Sequence, residues 1–230
     1  MISIRNISAK YGDKEVLSNV SLDIPKGSIC GVVGLNGAGK TTFFNVVYGL
    51  KPSAGGAVDI DGRPLSKKDI AYLEAENYFY SNITGREYLR LFIRDASVIS
   101  EWNRLFELPM DELVDGYSTG MKRKLAIMAT VAQNRPVLIL DEPFNGLDLQ
   151  ASRLLVSILK MLQGKATVLI SSHIIAPLLD VCSMMCHVNH QRIDVYAHEQ
   201  FGQLQQAIFS GIDEQHGRVL RGIFDEPTGV

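Results

Sequence analysis

Gly34-Leu35-Asn36-Gly37-Ala38-Gly39-Lys40-Thr41 has the spacing G-x-x-x-x-G-K-[ST], that of a loop which cradles nucleotide phosphates. Its flanks agree with that reading. Ile29-Cys30-Gly31-Val32-Val33 reads as a short buried strand leading in, and Thr42 to Tyr48 as a helix leading out. Glycines at 34, 37 and 39 let backbone N–H groups turn toward an anion without Cβ clashes, and the following helix adds its positive end. In such a loop Lys40 reaches the β- and γ-phosphates and the Thr41 hydroxyl ligates Mg²⁺. These residues predict a site for a nucleoside triphosphate.

Toward the N-terminus, Ile2–Ile7 and Val16–Ile24 alternate apolar and polar residues, as half-buried strands do. Between them Tyr11 stands beside the turn at Gly12-Asp13, where an exposed ring offers a flat face to a base. Downstream, Val58–Gly62 and Ile70–Leu73 read as strands. From Thr84 the period becomes helical. Tyr88, Leu89, Leu91 and Phe92 form one stripe and Trp102, Leu105 and Phe106 a second, both expected in the core. Asp111–Gly116 reads as a polar linker.

Tyr117-Ser118-Thr119-Gly120-Met121 opens an amphipathic helix carrying Lys122, Arg123 and Lys124. Ser118 fits an N-cap and Gly120 permits close approach to the helix start, which makes this a possible second anion site. Val137-Leu138-Ile139-Leu140 is a continuous apolar run, as in a parallel strand buried on both faces, and it ends in Asp141-Glu142-Pro143. Carboxylates at that edge lie where open α/β sheets hold ligands. Asp141 suits a magnesium held through water, and Glu142 suits a base that takes a proton from attacking water. Leu149–Leu162 reads as a helix and Ala166–Ser172 as a buried strand, with His173 at its edge within reach of a γ-phosphate. Met184–Val188 and Arg192–Tyr196 read as paired strands, followed by a helix from His198 to about Phe209. Cys182, Cys186, His187 and His190 have the residue types of a zinc site, but alternation along the strand sends Cys186 and His187 to opposite faces.

Composition narrows the class. The chain has 230 residues, 46% of them hydrophobic, which suffices for a full core. No apolar run reaches the ~18 residues of a membrane span, and the first residues lack a signal-peptide pattern. A net charge of −2 gives no electrostatic reason to expect nucleic acid. Three cysteines, an odd number, suggest reduced thiols and a cytoplasmic setting.

Together these motifs resemble the nucleotide-binding subunits of ABC transporters over nearly the whole chain. The resemblance implies a P-loop NTPase (RecA-like) α/β core with an N-terminal antiparallel β-subdomain and a short helical subdomain. It also implies an ATP-binding domain over 1–210, its helical part inserted at about 78–133, and a loose tail at 211–230. The implied nucleotide contacts are Tyr11, the loop residues Gly34, Asn36, Gly37, Ala38, Gly39, Lys40 and Thr41, and Thr42, Ser118, Gly120 and Asp148. Lys40, Glu142 and His173 take the catalytic places, and Thr41 and Asp141 the metal places. ATP and Mg²⁺ are the implied ligands. The implied partners are a second ATP-binding subunit, expected to be identical, and a separate transmembrane permease that would hold the chain at the inner face of the cell membrane.

Two departures stand out. The family's Q-loop glutamine falls at Ala75, between Glu74 and Glu76, and the first glutamine of the chain is Gln133. In the Leu-Ser-Gly-Gly-Gln signature, Thr119 replaces the first glycine and Met121 the glutamine, while Ser118 and Gly120 remain. The segment from Tyr88 to Asp115 is also shorter than the family's usual arm. Two alternatives share the same motifs: an ABC ATPase of a cytosolic assembly system, and a nucleotide-gated binding module with weak hydrolysis.

Overall fold

A computed structural model describes residues 1–210. Two long strands, β1 (Ile2–Tyr11) and β2 (Lys14–Ile24), pair antiparallel, and β3 (Ile29–Val33) then leads through the glycine-rich loop into α1 (Lys40–Tyr48). The strands β4 (Ala57–Ile60) and β5 (Arg63–Pro64) complete a four-stranded antiparallel sheet in the order β2-β1-β4-β5. After β6 (Ile70–Leu73) come the helices α2 (Gly85–Arg90), α3 (Ala96–Phe106) and α4 (Thr119–Val131). The chain then runs through β7 (Val137–Leu140), α5 (Leu149–Leu162), β8 (Thr167–Ser171), α6 (Ala176–Leu179), β9 (Met184–Asn189) and β10 (Arg192–Ala197). A last helix, α7, covers 201–210 after a short 3₁₀ turn at His198–Gln200.

The larger sheet has the order β10-β9-β3-β8-β7-β6 and is parallel except for the edge strand β10. Its central strands β3, β7 and β8 are buried along their entire length, as their unbroken apolar runs require. Alternation along β3 sends Ile29 and Val33 to one core and Cys30 and Val32 to the other. The first core is closed by α2–α5, and the second by Phe43 and Phe44 of α1 and the inner face of β1 and β2. With β3, β8 and β7 as neighbours, their C-terminal edges meet. The residues that leave those edges are the glycine-rich loop, Asp141-Glu142 and Ser172-His173. This is the mixed α/β P-loop NTPase architecture with its antiparallel subdomain.

Two expectations need correction. The stripe after Thr84 is not all core. The α2 helix ends at Arg90, so Leu91 and Phe92 fall in the turn beyond it, 57% and 43% exposed. In the second stripe Leu105 is also exposed, while Phe106 is buried. Asp111–Gly116 is not a plain polar linker. Val114 is buried and its N–H donates to the Ile83 carbonyl, and Leu113 bridges to Thr84. The loose tail expected at 211–230 lies outside the described residues.

Candidate functional site

The glycine-rich loop is shaped by backbone demands that only glycine meets. Gly34 has φ +153°, and a Cβ there would sit 2.5 Å from the Val188 carbonyl oxygen. Gly39 caps α1 with φ +114°. Within the loop, the Ala38 N–H donates to the Leu35 carbonyl at 3.1 Å. Lys40 is buried beneath the loop, and its ammonium donates to the Gly34 carbonyl at 2.9 Å and the Leu35 carbonyl at 3.4 Å. The same Nζ stands 3.7 Å from Glu142 Oε1.

Across the sheet edge, register explains the rest. Leu140 pairs with Ile170, so Asp141 and Ser171 leave their strands side by side. The Thr41 hydroxyl donates to Asp141 Oδ2 at 2.7 Å, and the Ser171 hydroxyl donates to Asp141 Oδ1 at 2.5 Å. The Glu142 N–H in turn donates to Ser171 Oγ at 2.8 Å. Glu142 itself has φ +48°, a left-handed conformation unusual for a residue with a side chain. Its Oε2 contacts His173 Nδ1 at 2.8 Å and accepts from the His173 N–H at 3.1 Å. Glu142 therefore lies between the ammonium of Lys40 and the imidazole of His173.

Tyr11, Asn36, Gly37, Gly39, Lys40, Thr41, Thr42, Asp141 and Glu142 line one cavity of about 350 Å³. Tyr11 is the last residue of β1, half exposed, with Lys51 Nζ 3.8 Å from its ring centroid. Ser118, Gly120 and Asp148 do not line that cavity. Ser118 caps α4, accepting from the Met121 N–H at 3.2 Å. A Cβ on Gly120 would lie 3.1 Å from the Gly146 carbonyl, so this helix start packs directly on the turn that carries Asp148. Asp148 caps α5, and its carboxyl is held below the usual range by the Ala151 N–H and by Lys124. A second cleft of about 530 Å³ separates residues 75–79 from the start of α4 and the Asn145-Gly146 turn.

Two residues of the site escaped the sequence reading. One is Ser171, which ties Asp141 to Glu142. The other is Arg123, which is 5% exposed and donates from Nη2 to the carbonyls of Asp141 and Glu142. A signal for Arg123 was present: Ile127 and Val131 follow it at steps of four, and both are buried. Helical phase therefore put Arg123 inside, although its charged neighbours suggested a solvated face.

The donors fit the ligands that the motifs imply. A hydroxyl and a carboxylate side by side are the hard oxygen ligands that Mg²⁺ prefers, and a buried lysine under a glycine-rich turn suits a phosphate chain. Comparison with known proteins agrees. The family model described as ABC transporter matches residues 17–145. The lantibiotic transport ATP-binding protein SrtF of Streptococcus pyogenes is 31% identical over 186 residues, covering 76% of this chain and 81% of that protein. The Nod factor export ATP-binding protein I of Burkholderia orbicola is 29% identical over 208 residues, covering 83% and 68%. A solved structure of an ATP binding subunit of an ABC transporter superposes with a TM-score of 0.82 at 25% identity, covering 96% of this chain and 99% of that one. The chain belongs to the ABC transporter family, as one of its ATP-binding, ATP-hydrolysing subunits.

Proposed function

We propose that two copies of the chain close head to tail around two ATP molecules and so drive a separate membrane permease. The observation that carries this reading is the convergence of Lys40, Thr41, Asp141, Glu142 and His173 at adjoining strand edges. Tyr11 stacks the adenine, and the loop N–H groups with Lys40 hold the phosphates. Thr41 and Asp141 would hold Mg²⁺, which when bound would supply charge neutralisation at the phosphate oxygens. Glu142 takes a proton from the attacking water, and His173 orients the Glu142 carboxylate and reaches the γ-phosphate.

Ser118 and Gly120 stand outside the cavity of their own chain, which fits a role toward the partner's nucleotide. Such a contact is isologous, so one dimer closes two identical sites. ATP favours the closed dimer because its γ-phosphate touches both subunits, and hydrolysis removes that link. Residues 78–133 act as the arm that meets the permease. Their exposed Tyr78, Tyr80, Leu91 and Phe92 give that arm an apolar contact surface. Among the described residues no helix is long and apolar enough to cross a membrane, which fits a permease on another polypeptide and a cytoplasmic, peripheral place for this chain. The name of the Burkholderia orbicola relative, a Nod factor export protein, favours export.

Mg-ATP hydrolysis measured at rising protein concentration, beside Glu142→Gln, tests the proposal. The rate per subunit should climb with concentration and vanish in Glu142→Gln, which should run as an ATP-bound dimer. Turnover unchanged in Glu142→Gln, or a monomer persisting with ATP, would overturn it.

A further inference from the structure

Arg123 gathers three separate segments around one buried guanidinium. Its Nη1 donates to the Glu74 carbonyl at 2.8 Å, the Ala75 carbonyl at 3.3 Å and Asn77 Oδ1 at 2.6 Å. Its Nη2 donates to the carbonyls of Asp141 at 2.7 Å and Glu142 at 2.8 Å, and Nε to that of Pro143 at 3.4 Å. Burial pushes its pKa down to about 10 while the carboxylates of Asp141 and Glu142 pull it back up, so it is charged at neutral pH. The side chain springs from the second turn of α4, five residues after the cap Ser118.

Sheet order makes this possible. β6 pairs with β7, Leu73 opposite Leu140, so residues 74–77 and 141–143 leave the sheet side by side. Neither segment is otherwise regular, and a planar five-donor fork can bind both at once. Glu142 meanwhile holds a left-handed backbone, a conformation that persists only where the surroundings enforce it. Arg123 on its carbonyl and Ser171 on its N–H supply that enforcement.

We propose that Arg123 is the positioning residue through which residues 74–77 set the place of Glu142, a link that runs through backbone carbonyls because Ala75 has no side chain to make it. This rests on Glu142 being the base of the proposed ATPase. A displacement of residues 74–77 then reaches the Glu142 carbonyl through a single guanidinium. A displacement of α4 does the same, and carries Ser118 with it. The amide of Asn77 is the side-chain end of the link.

The test compares wild type, Glu142→Gln, Arg123→Lys, Asn77→Ala and the double variant in Mg-ATP turnover, with melting temperature recorded for each. A lysine keeps the charge but cannot fork. Arg123→Lys should fold, keep KM for ATP within about twofold, and lose roughly tenfold to a hundredfold in kcat, as misplacement by ~1 Å does. Asn77→Ala should lower kcat less, again with KM unchanged. The double variant should be no slower than Arg123→Lys, because both residues act through one link. A folded Arg123→Lys with full kcat, or with the loss confined to KM, would overturn the inference. Should that variant not fold, an unchanged kcat in Asn77→Ala would overturn it alone. Wild-type turnover in Glu142→Gln would instead sink the ATPase reading itself.

Discussion

Three glycines of the phosphate loop look equivalent in sequence, but only the structure says what each would lose. Gly34 combines φ +153° with a Val188 carbonyl 2.5 Å from any Cβ, whereas Gly37 has φ +79° and open space around it. Gly37→Ala should therefore cost only the backbone penalty, ~1–2 kcal/mol, and Gly34→Ala clearly more, because β9 must also yield. Urea denaturation of the two variants checks this, and equal losses would contradict it. Arg123 shows the opposite case. Its contacts to residues 74–77 and 141–143 depend on two loops meeting, and no local sequence pattern encodes that meeting. What was legible was its helical phase, in line with Ile127 and Val131.

Among the elements, helix starts separate architecture from function. The α4 helix begins at Ser118, whose hydroxyl accepts from the Met121 N–H, and α2 begins at Thr84, whose side chain accepts from Glu87 in a reciprocal capping box. Removing either cap exposes orphan N–H groups. Ser118→Ala should lower stability by ~1 kcal/mol and also cut ATP turnover severely, whereas Thr84→Ala should lower stability and leave turnover near wild type. Melting curves and turnover of both variants measure the two effects; equal turnover in both would remove Ser118 from the site. The same elements show where periodicity misleads. Leu91 and Phe92 continue the stripe of α2 on paper, but the helix stops at Arg90 and turns both residues outward. The change of period at Thr84 marked where that helix starts, while nothing in the stripe marked where it stops.

At the scale of the whole molecule, the two faces of the large sheet bury several groups that ionise at alkaline pH. Burial pushes the Cys182 thiol up to about 12 from an ordinary 9.0, and the Tyr88 phenol up to about 12 from 10.0. Cys30 is also raised, by its contact with Cys186 at 3.4 Å and by burial. A raised folded value means that the unfolded chain loses its proton first. Stability should be fully present below about pH 9 and should decline as pH rises toward 12. Urea midpoints measured between about pH 8 and pH 11 check the slope, and Cys182→Ala should flatten it; a pH-independent midpoint would refute the prediction. By itself the sequence determined the nucleotide loop, the buried strands, the Ser118 cap and the acidic strand end, because each is set by the chemistry of a few adjacent residues. It also carried the family resemblance, including the glutamine missing at Ala75. Only the tertiary structure decided which strands are neighbours, and with that the placement of Thr41 on Asp141, of Glu142 between Lys40 and His173, and of Arg123 across two loops. Those contacts join residues far apart in the chain, and strand order within a parallel sheet is fixed by the packing of both faces at once rather than by any single stretch.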